Sequence, residues 1–115
     1  MLEYQEILRQ AYAAFNKRDI DTVLTYMHPD VDWANGMEGG RVQGHEGVRE
    51  YWRRQWSLIN PHVEPTDFRM EEDGKIIVDV HQVVRDLAGT ILSEVMVQHV
   101  YQVRDGLITR MDIRE

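Results

Sequence analysis

The chain has 115 residues and a net charge of −7, from 13 Lys and Arg against 20 Asp and Glu. This length predicts one domain, 1–115, that buries roughly 60–70% of its unfolded surface around a single core. The acidic balance argues against nucleic acid as a partner, because DNA and RNA binding needs Lys and Arg that neutralise phosphates.

The sequence contains no Cys. This excludes disulfides, thiolate nucleophiles and Cys-ligated zinc, and it favours a reducing compartment. The chain does not start with a basic segment followed by an apolar stretch, and no apolar run approaches the ~20 residues that span a bilayer. We therefore expect a cytoplasmic protein that has no membrane partner.

The first half of the chain predicts three helices and one short strand. Apolar residues recur at steps of three and four in 3–17 and in 46–59, as they do on one face of a helix. Between them, Asp19 can cap a short second helix that Pro29 ends. The segment 31–35 alternates like a short strand, and a glycine-bearing loop follows it.

The second half predicts four antiparallel strands. Residue character alternates with a period of two in four runs, 63–72, 75–86, 90–104 and 107–114. Asp-Gly pairs and a Leu-Ala-Gly triplet separate these runs, as in β-hairpins. The sequence therefore predicts an α+β fold of order ααβαββββ, in which the helices cover one face of the sheet.

Alternation places polar side chains on the inner, more apolar face of this sheet. Gln82, His99, Tyr101 and Thr109 belong to the inward set. In the last strand, Met111 faces inward and Ile108 faces outward. A buried imidazole without a partner costs about 1–3 kcal/mol, so His99 must be hydrogen-bonded, solvated in a cavity or functional. The alternative to a functional role is a satisfied core histidine.

The opposite face of the sheet predicts a contact between two copies of the chain. It carries these apolar residues among charged ones: Ile77, Val83, Leu92, Met96, Val100 and Ile108. Such a mixture suits a two-fold homodimer, whose interface repeats one surface on both subunits.

No pattern in the sequence indicates a metal or a cofactor. Asp79 and His81 share a strand face, and His45 precedes Glu46. Neither pair supplies the three or four ligands that a metal site needs. The glycines of 36–47 lack the spacing of a phosphate-binding loop.

Three segments carry a resemblance to a known family: AYAAFNKRDIDTVLTYMHPDVDW at 11–33, VQGHEGVREYWRRQW at 42–56 and HVYQVRDGLITRMDI at 99–113. With the order of elements, they resemble the nuclear transport factor 2-like superfamily, in particular its SnoaL-like and ketosteroid isomerase-like members. The resemblance implies a cone-shaped α+β barrel, with a curved, mostly antiparallel sheet around three helices and an apolar pocket at one end. It also implies pairing through the outer sheet face.

Ketosteroid isomerases use an aspartate base, with a tyrosine and a protonated aspartic acid as oxyanion donors. The resemblance places Asn35 at the base and His99 at the acid. It places Ala11 at the tyrosine, so that Tyr12 is one residue later and turned about 100° around the helix. An amide cannot accept a proton at useful pH, and steroid isomerisation by that mechanism is therefore not expected.

If the protein is an enzyme, we expect His99 to act as general acid or base and Asn35 as an orienting hydrogen-bond donor. Tyr101 and Gln82 would fix the imidazole. The predicted pocket residues are Tyr12, Phe15, Trp33, Trp52, Trp56, Gln82, Val97, Tyr101 and Met111. Simple packing is the alternative for each of them.

Two functions remain open at this point. The first is an isomerase, dehydratase or cyclase that acts on an apolar, carbonyl-bearing metabolite. The second is a non-catalytic ligand-binding or dimeric scaffold protein. Only the site can decide between them, because one fold supports many functions.

Overall fold

A computed structural model of the protein describes residues 2–114, which form three helices and six strands. The helices are α1 (Leu2–Asn16), α2 (Ile20–Thr25) and α3 (Gly44–Leu58). The strands are β1 (Met27–Ala34), β2 (Arg41–Gln43), β3 (Asn60–Met70), β4 (Ile76–Arg85), β5 (Ile91–Arg104) and β6 (Leu107–Arg114). The α+β class is confirmed, and β2 is a short strand that the sequence did not predict.

The strands form one curved, mixed sheet in the order β2-β1-β6-β5-β4-β3. Neighbouring strands are antiparallel except β1 and β6, which run parallel. The edge strands β2 and β3 do not pair with each other, so the sheet is open. The predicted meander is confirmed as the run from β3 to β6.

The turn between β5 and β6 follows the sequence signal. Asp105 has a φ of 53° and Gly106 a φ of 81°. Two consecutive positive φ values are the geometry of a tight two-residue hairpin turn, which Asp-Gly favours. This turn brings β6 directly back along β5.

The start of β1 differs from the sequence expectation. α2 ends at Thr25, and the chain enters β1 at Met27, so that Pro29 lies inside a strand. Pairing of β1 with β6 is interrupted between Met27 and Asp32. A proline has no N–H to give to the ladder, which fits an interruption at this place.

A bulge in the β5–β6 ladder changes which residues of β6 face inward. Gln102 lies opposite Arg110, whereas Val103 lies opposite Ile108. The extra residue shifts the alternation of the strand by one position. Ile108 is 1% exposed and belongs to the core. Its predicted place on the outer face is therefore wrong.

The core lies between the helices and the inner face of the sheet. Leu8 and Tyr12 of α1 recur at helical spacing, as do Val48 and Trp52 of α3. These stripes pack against the alternating apolar residues of the strands. Within residues 2–114, no helix is long and apolar enough to cross a membrane.

Candidate functional site

A cavity of about 260 Å³ lies between the helices and the inner face of the sheet. α1 and α3 form one wall, and β4, β5 and β6 form the other. The predicted site residues that line it are Tyr12, Phe15, Trp33, Trp52, Gln82, Val97, His99, Tyr101 and Met111. The other two predicted residues, Asn35 and Trp56, lie beside the cavity.

Exposure along β5 shows where the cavity opens. Val95 is 43% exposed, Val97 is half-buried and His99 is 8% exposed, and all three line the cavity. β6 pairs with β5 from Gln98 onward, so the first part of β5 has no strand on that side among the described residues. The mouth therefore lies at the start of β5, and His99 lies deeper, shielded from bulk water.

A chain of two hydrogen bonds joins three side chains at the cavity wall. The Tyr101 hydroxyl donates to the Tyr12 hydroxyl oxygen at 2.7 Å. Tyr12 Oη in turn lies 2.7 Å from His99 Nδ1. The Tyr12 and His99 rings are nearly parallel, with an interplanar angle of 12° and centroids 5.8 Å apart. α1 supplies the central residue of this relay, and β5 supplies both ends.

The direction of the Tyr101–Tyr12 hydrogen bond sets the tautomer of His99. With Tyr101 assigned as the donor, the single hydrogen of Tyr12 is left for Nδ1. An imidazole that accepts at Nδ1 carries its hydrogen on Nε2 when it is neutral. Nε2 has no hydrogen-bond partner in residues 2–114 and is not sealed off by protein atoms. It therefore presents an N–H to the cavity.

Burial keeps all three groups of the relay neutral at pH 7. It lowers the pKa of His99 to about 4. It also raises the pKa values of Tyr12 and Tyr101 above the usual 10. Each bond of such a chain polarises the next, which strengthens the last donor. At pH 7 the His99 ring is therefore a neutral imidazole and not an imidazolium.

The tryptophans and Phe15 form a continuous aromatic wall. Trp52 lies at its centre, with ring centroids 5.7 Å from Trp33 and 5.1 Å from Phe15, both near perpendicular. Trp56 packs behind this wall, 5.3 Å from Phe15 and 5.8 Å from Trp52. The two contacts of Trp52 with Trp33 and Phe15 are edge-to-face, an arrangement that holds aromatic rings in place, whereas the two Trp56 contacts are tilted. Trp56 thus supports the wall without lining the cavity.

The Asn35 side chain is hydrogen-bonded to the loop that follows it. Its Oδ1 accepts from the Glu38 N–H at 2.7 Å, and its Nδ2 donates to the Glu38 carboxylate at 2.8 Å. Arg54 of α3 holds the same carboxylate at 2.9 Å. These bonds lower the pKa of Glu38, the Arg54 bond most. The Asn35 amide thus orders a loop, and it does not join His99 in the cavity.

The partner of the imidazole differs from the sequence expectation. Tyr12, and not Tyr101 or Gln82, forms the hydrogen bond to His99. The Tyr101 ring packs edge-on against the imidazole, with centroids 6.3 Å apart, and its hydroxyl bonds to Tyr12. Gln82 lines the cavity nearer the mouth, since it lies opposite Val95 whereas His99 lies opposite Val78. Gln82 lies four positions after Val78, which is about 13 Å along β4.

Sequence reasoning missed several lining residues from the helix side. Tyr51 and Gln55 of α3 line the cavity, as does Met37 from the loop after β1. Tyr51 lies three residues after Val48 and four before Gln55, so the helical repeat carried a signal for it. Nothing in the repeat pattern pointed to Met37, because a loop has no period.

The lining of the cavity is uncharged. No Asp, Glu, Lys or Arg is among the lining residues of the described chain. Its polar side-chain groups are tyrosine hydroxyls, two glutamine amides, the His99 imidazole and the indole N–H groups of Trp33 and Trp52. Such a cavity favours a neutral, largely apolar molecule that carries a small number of oxygen atoms, because transferring an unpaired charge into it is costly.

Three helices on a curved mixed sheet, with a deep apolar cavity between them, define a small-molecule-binding type of α+β domain. A sequence model of the SnoaL-like domain matches residues 8–111. The chain therefore belongs to the SnoaL-like domain family, within the nuclear transport factor 2-like fold. Among curated proteins, no sequence matches this chain.

Solved structures similar to this chain agree with that assignment. TerC, co-crystallized with polyporic acid, is 32% identical, with 98% of this chain and 90% of TerC covered and a TM-score of 0.83. An NTF2-like protein of unknown function from Burkholderia pseudomallei is 26% identical, with 99% and 91% covered and a TM-score of 0.85. A putative polyketide cyclase from Sinorhizobium meliloti is similar in fold, at 23% identity, 95% and 94% coverage and a TM-score of 0.80.

Proposed function

We propose that this protein binds a neutral, apolar, carbonyl-bearing metabolite in its cavity and acts on it as an isomerase, dehydratase or cyclase. One observation carries this proposal: the hydrogen-bond relay from Tyr101 through Tyr12 ends at a His99 N–H that faces an apolar cavity. A carbonyl oxygen is the acceptor that such a donor fits.

The chemistry follows from where the donor points. A neutral imidazole can polarise a carbonyl without giving up a proton. When a water molecule or hydroxide ion that enters through the mouth takes a proton from the carbon next to that carbonyl, the C–H electron pair forms the new C=C bond. Negative charge then develops on the carbonyl oxygen, where a preorganised donor shielded from bulk water stabilises it. The low pKa of His99 favours this role over that of a cationic acid. Isomerisation, dehydration and cyclisation beside a carbonyl all pass through such an enol or enolate.

The dimensions of the cavity restrict the ligand. A cavity of ~150 Å³ in another protein binds benzene, so about 260 Å³ suits a molecule of roughly two fused rings. The aromatic wall around Trp52 favours flat rings. The likeness to TerC, which was co-crystallized with polyporic acid, supports a small organic ligand for this chain as well.

A second function is binding without catalysis. Among residues 2–114, no carboxylate lines the cavity, and Asn35, which the resemblance places at the isomerase base, is hydrogen-bonded to Glu38 through both polar atoms of its amide. No strong proton acceptor therefore accompanies the His99 donor. In this case the same contacts would hold a ligand that the protein does not change.

Titration with 1-tetralone, a flat bicyclic ketone, tests the proposal. We expect binding to shift the ¹⁵N resonance of His99 Nε2, and His99→Ala to weaken binding about tenfold, the typical effect of one hydrogen bond to a polarised acceptor. The exposed His62 offers a matched control, since His62→Ala should leave binding unchanged. Failure of 1-tetralone to bind, or binding that leaves the His99 resonance unmoved, would contradict the proposal.

Proton exchange separates the two functions. In D₂O, an enzyme that stabilises the enolate should speed the exchange of hydrogens next to the 1-tetralone carbonyl, and His99→Ala should remove this effect. ¹H NMR follows the loss of those signals. Binding without faster exchange than in buffer would favour the non-catalytic function.

We also propose that the protein is a cytoplasmic homodimer that pairs through the outer sheet face. Leu92 and Met96 on that face are 57% and 56% exposed, whereas Ile77, Val83 and Val100 are already buried within the chain. The contact therefore centres on the first half of β5. Sedimentation at micromolar concentration tests this proposal. A wild-type dimer that becomes a monomer in Met96→Glu would support the proposed interface, and a wild-type monomer would refute it.

A further inference from the structure

Gln55 has one polar atom that the protein leaves unpaired. It lies on the inner side of α3 and lines the cavity. Its Nε2 donates to the Tyr51 hydroxyl oxygen at 3.3 Å, but its Oε1 is buried with no partner among residues 2–114. Buried side-chain oxygens nearly always have a donor. An exception at the wall of a cavity requires a reason.

Reversing the amide does not remove the problem. The Tyr51 oxygen already accepts the Met37 N–H at 3.3 Å. In the reversed orientation Tyr51 donates to Oε1, and Nε2 becomes the atom without a partner. One polar atom of the Gln55 amide therefore stays unpaired in either orientation, because Tyr51 can satisfy only one of them.

Packing alone does not explain a glutamine at this position. Apart from Tyr51, the lining residues one helical turn before and after the glutamine, Trp52 and Ile59, are largely apolar. A methionine of similar size would fill the same space without an unpaired polar atom. The unpaired atom is closed off by protein atoms as the side chain stands, although other atoms of Gln55 line the cavity. A turn of the Gln55 amide toward the cavity would let a ligand supply the missing partner.

We propose that the ligand carries a hydroxyl group, in addition to its carbonyl, and that this hydroxyl pairs with the Gln55 amide. A hydroxyl both donates and accepts, so it satisfies the amide in either orientation. His99 lies on β5 and Gln55 on α3, so the carbonyl and the hydroxyl of the ligand would be bound from opposite walls of the cavity. This inference rests on the proposed function, and it specifies the ligand class as neutral, hydroxylated bicyclic ketones.

Calorimetric titration with 1-tetralone and its 5-, 6- and 7-hydroxy derivatives tests the inference. In the wild type, we expect at least one hydroxy derivative to bind about tenfold more tightly than 1-tetralone, the usual gain from satisfying a buried polar group. In Gln55→Met this preference should disappear, so that 1-tetralone and its hydroxy derivatives bind the variant with affinities within about twofold of one another. Gln55→Leu provides a second variant if Gln55→Met does not fold.

The results distinguish this inference from the proposed function. If 1-tetralone binds and shifts the His99 resonance, but no hydroxy derivative is preferred, the inference fails and the proposed function stands. A preference that persists in Gln55→Met, or that is lost in Gln82→Met instead, also overturns it. If no tetralone binds the wild type, both fail.

Discussion

Removing the Tyr12 hydroxyl should damage the relay more than removing the Tyr101 hydroxyl. Tyr12 is the central member, since its oxygen accepts from Tyr101 and its hydrogen goes to His99. In Tyr12→Phe, both neighbours lose their partner at once. In Tyr101→Phe, the bond between Tyr12 and His99 remains, and only the outer end of the chain is lost.

The expected losses in the free energy of unfolding follow from the burial of the groups that lose their hydrogen-bond partner. Tyr101 and His99 are 3% and 8% exposed, so Tyr12→Phe leaves a buried hydroxyl and a buried ring nitrogen without partners. At about 1–3 kcal/mol for each such group, we expect a loss of about 3 kcal/mol in the free energy of unfolding. Tyr101→Phe should cost about 1 kcal/mol, the net value of one ordinary hydrogen bond.

The double variant gives the sharpest comparison. The protein that carries both Tyr12→Phe and Tyr101→Phe should be no less stable than Tyr12→Phe alone. The second change removes the Tyr101 hydroxyl, which the first change has left without a partner. Urea unfolding of the four proteins, followed by tryptophan fluorescence at one protein concentration, measures this. Equal costs for the two single variants, or strictly additive costs in the double variant, would refute the relay as described.

Three further predictions concern His99, the loop after β1 and the start of α3. The pKa of His99 falls from 6.5 in the unfolded chain to about 4 in the folded protein, so protonation favours the unfolded chain. About 3 kcal/mol of the free energy of unfolding should therefore be lost between pH 6.5 and pH 4. Urea unfolding across that range should show this loss in the wild type and not in His99→Gln. Asn35→Ala should cost about 1–2 kcal/mol and speed amide hydrogen exchange at Glu38, and unchanged exchange would contradict the loop contacts. Gly44→Ala, at a φ of 75°, should cost about 1–2 kcal/mol in thermal unfolding, whereas Gly47→Ala inside the helix should not destabilise.

The sequence predicted the strands best where alternation is regular. In β4 and β5, a strict period of two placed Gln82 and His99 inward, and both line the cavity. In β6, a bulge shifted the alternation, and Ile108 turned inward against the expectation. A bulge depends on how two strands pair, which a single strand's pattern does not record.

The contacts within the site were harder to predict than its location. Tyr12 was expected to be displaced from the tyrosine position of the isomerases, yet it is the residue that binds His99. That contact depends on how α1 packs over β5, across 87 residues of sequence. Asn35 was expected to face the ligand, but a short-range bond to the Glu38 backbone takes its side chain. Asparagine commonly makes such local bonds in loops.

The uncharged lining has a kinetic consequence. A chain of net charge −7 repels anions in solution, and within residues 2–114 the pocket wall offers no cation to offset this. A neutral molecule diffuses in without electrostatic guidance, so its association rate should vary little with ionic strength. A product that ionises in the site would be expelled, and its release would then accompany the appearance of charge.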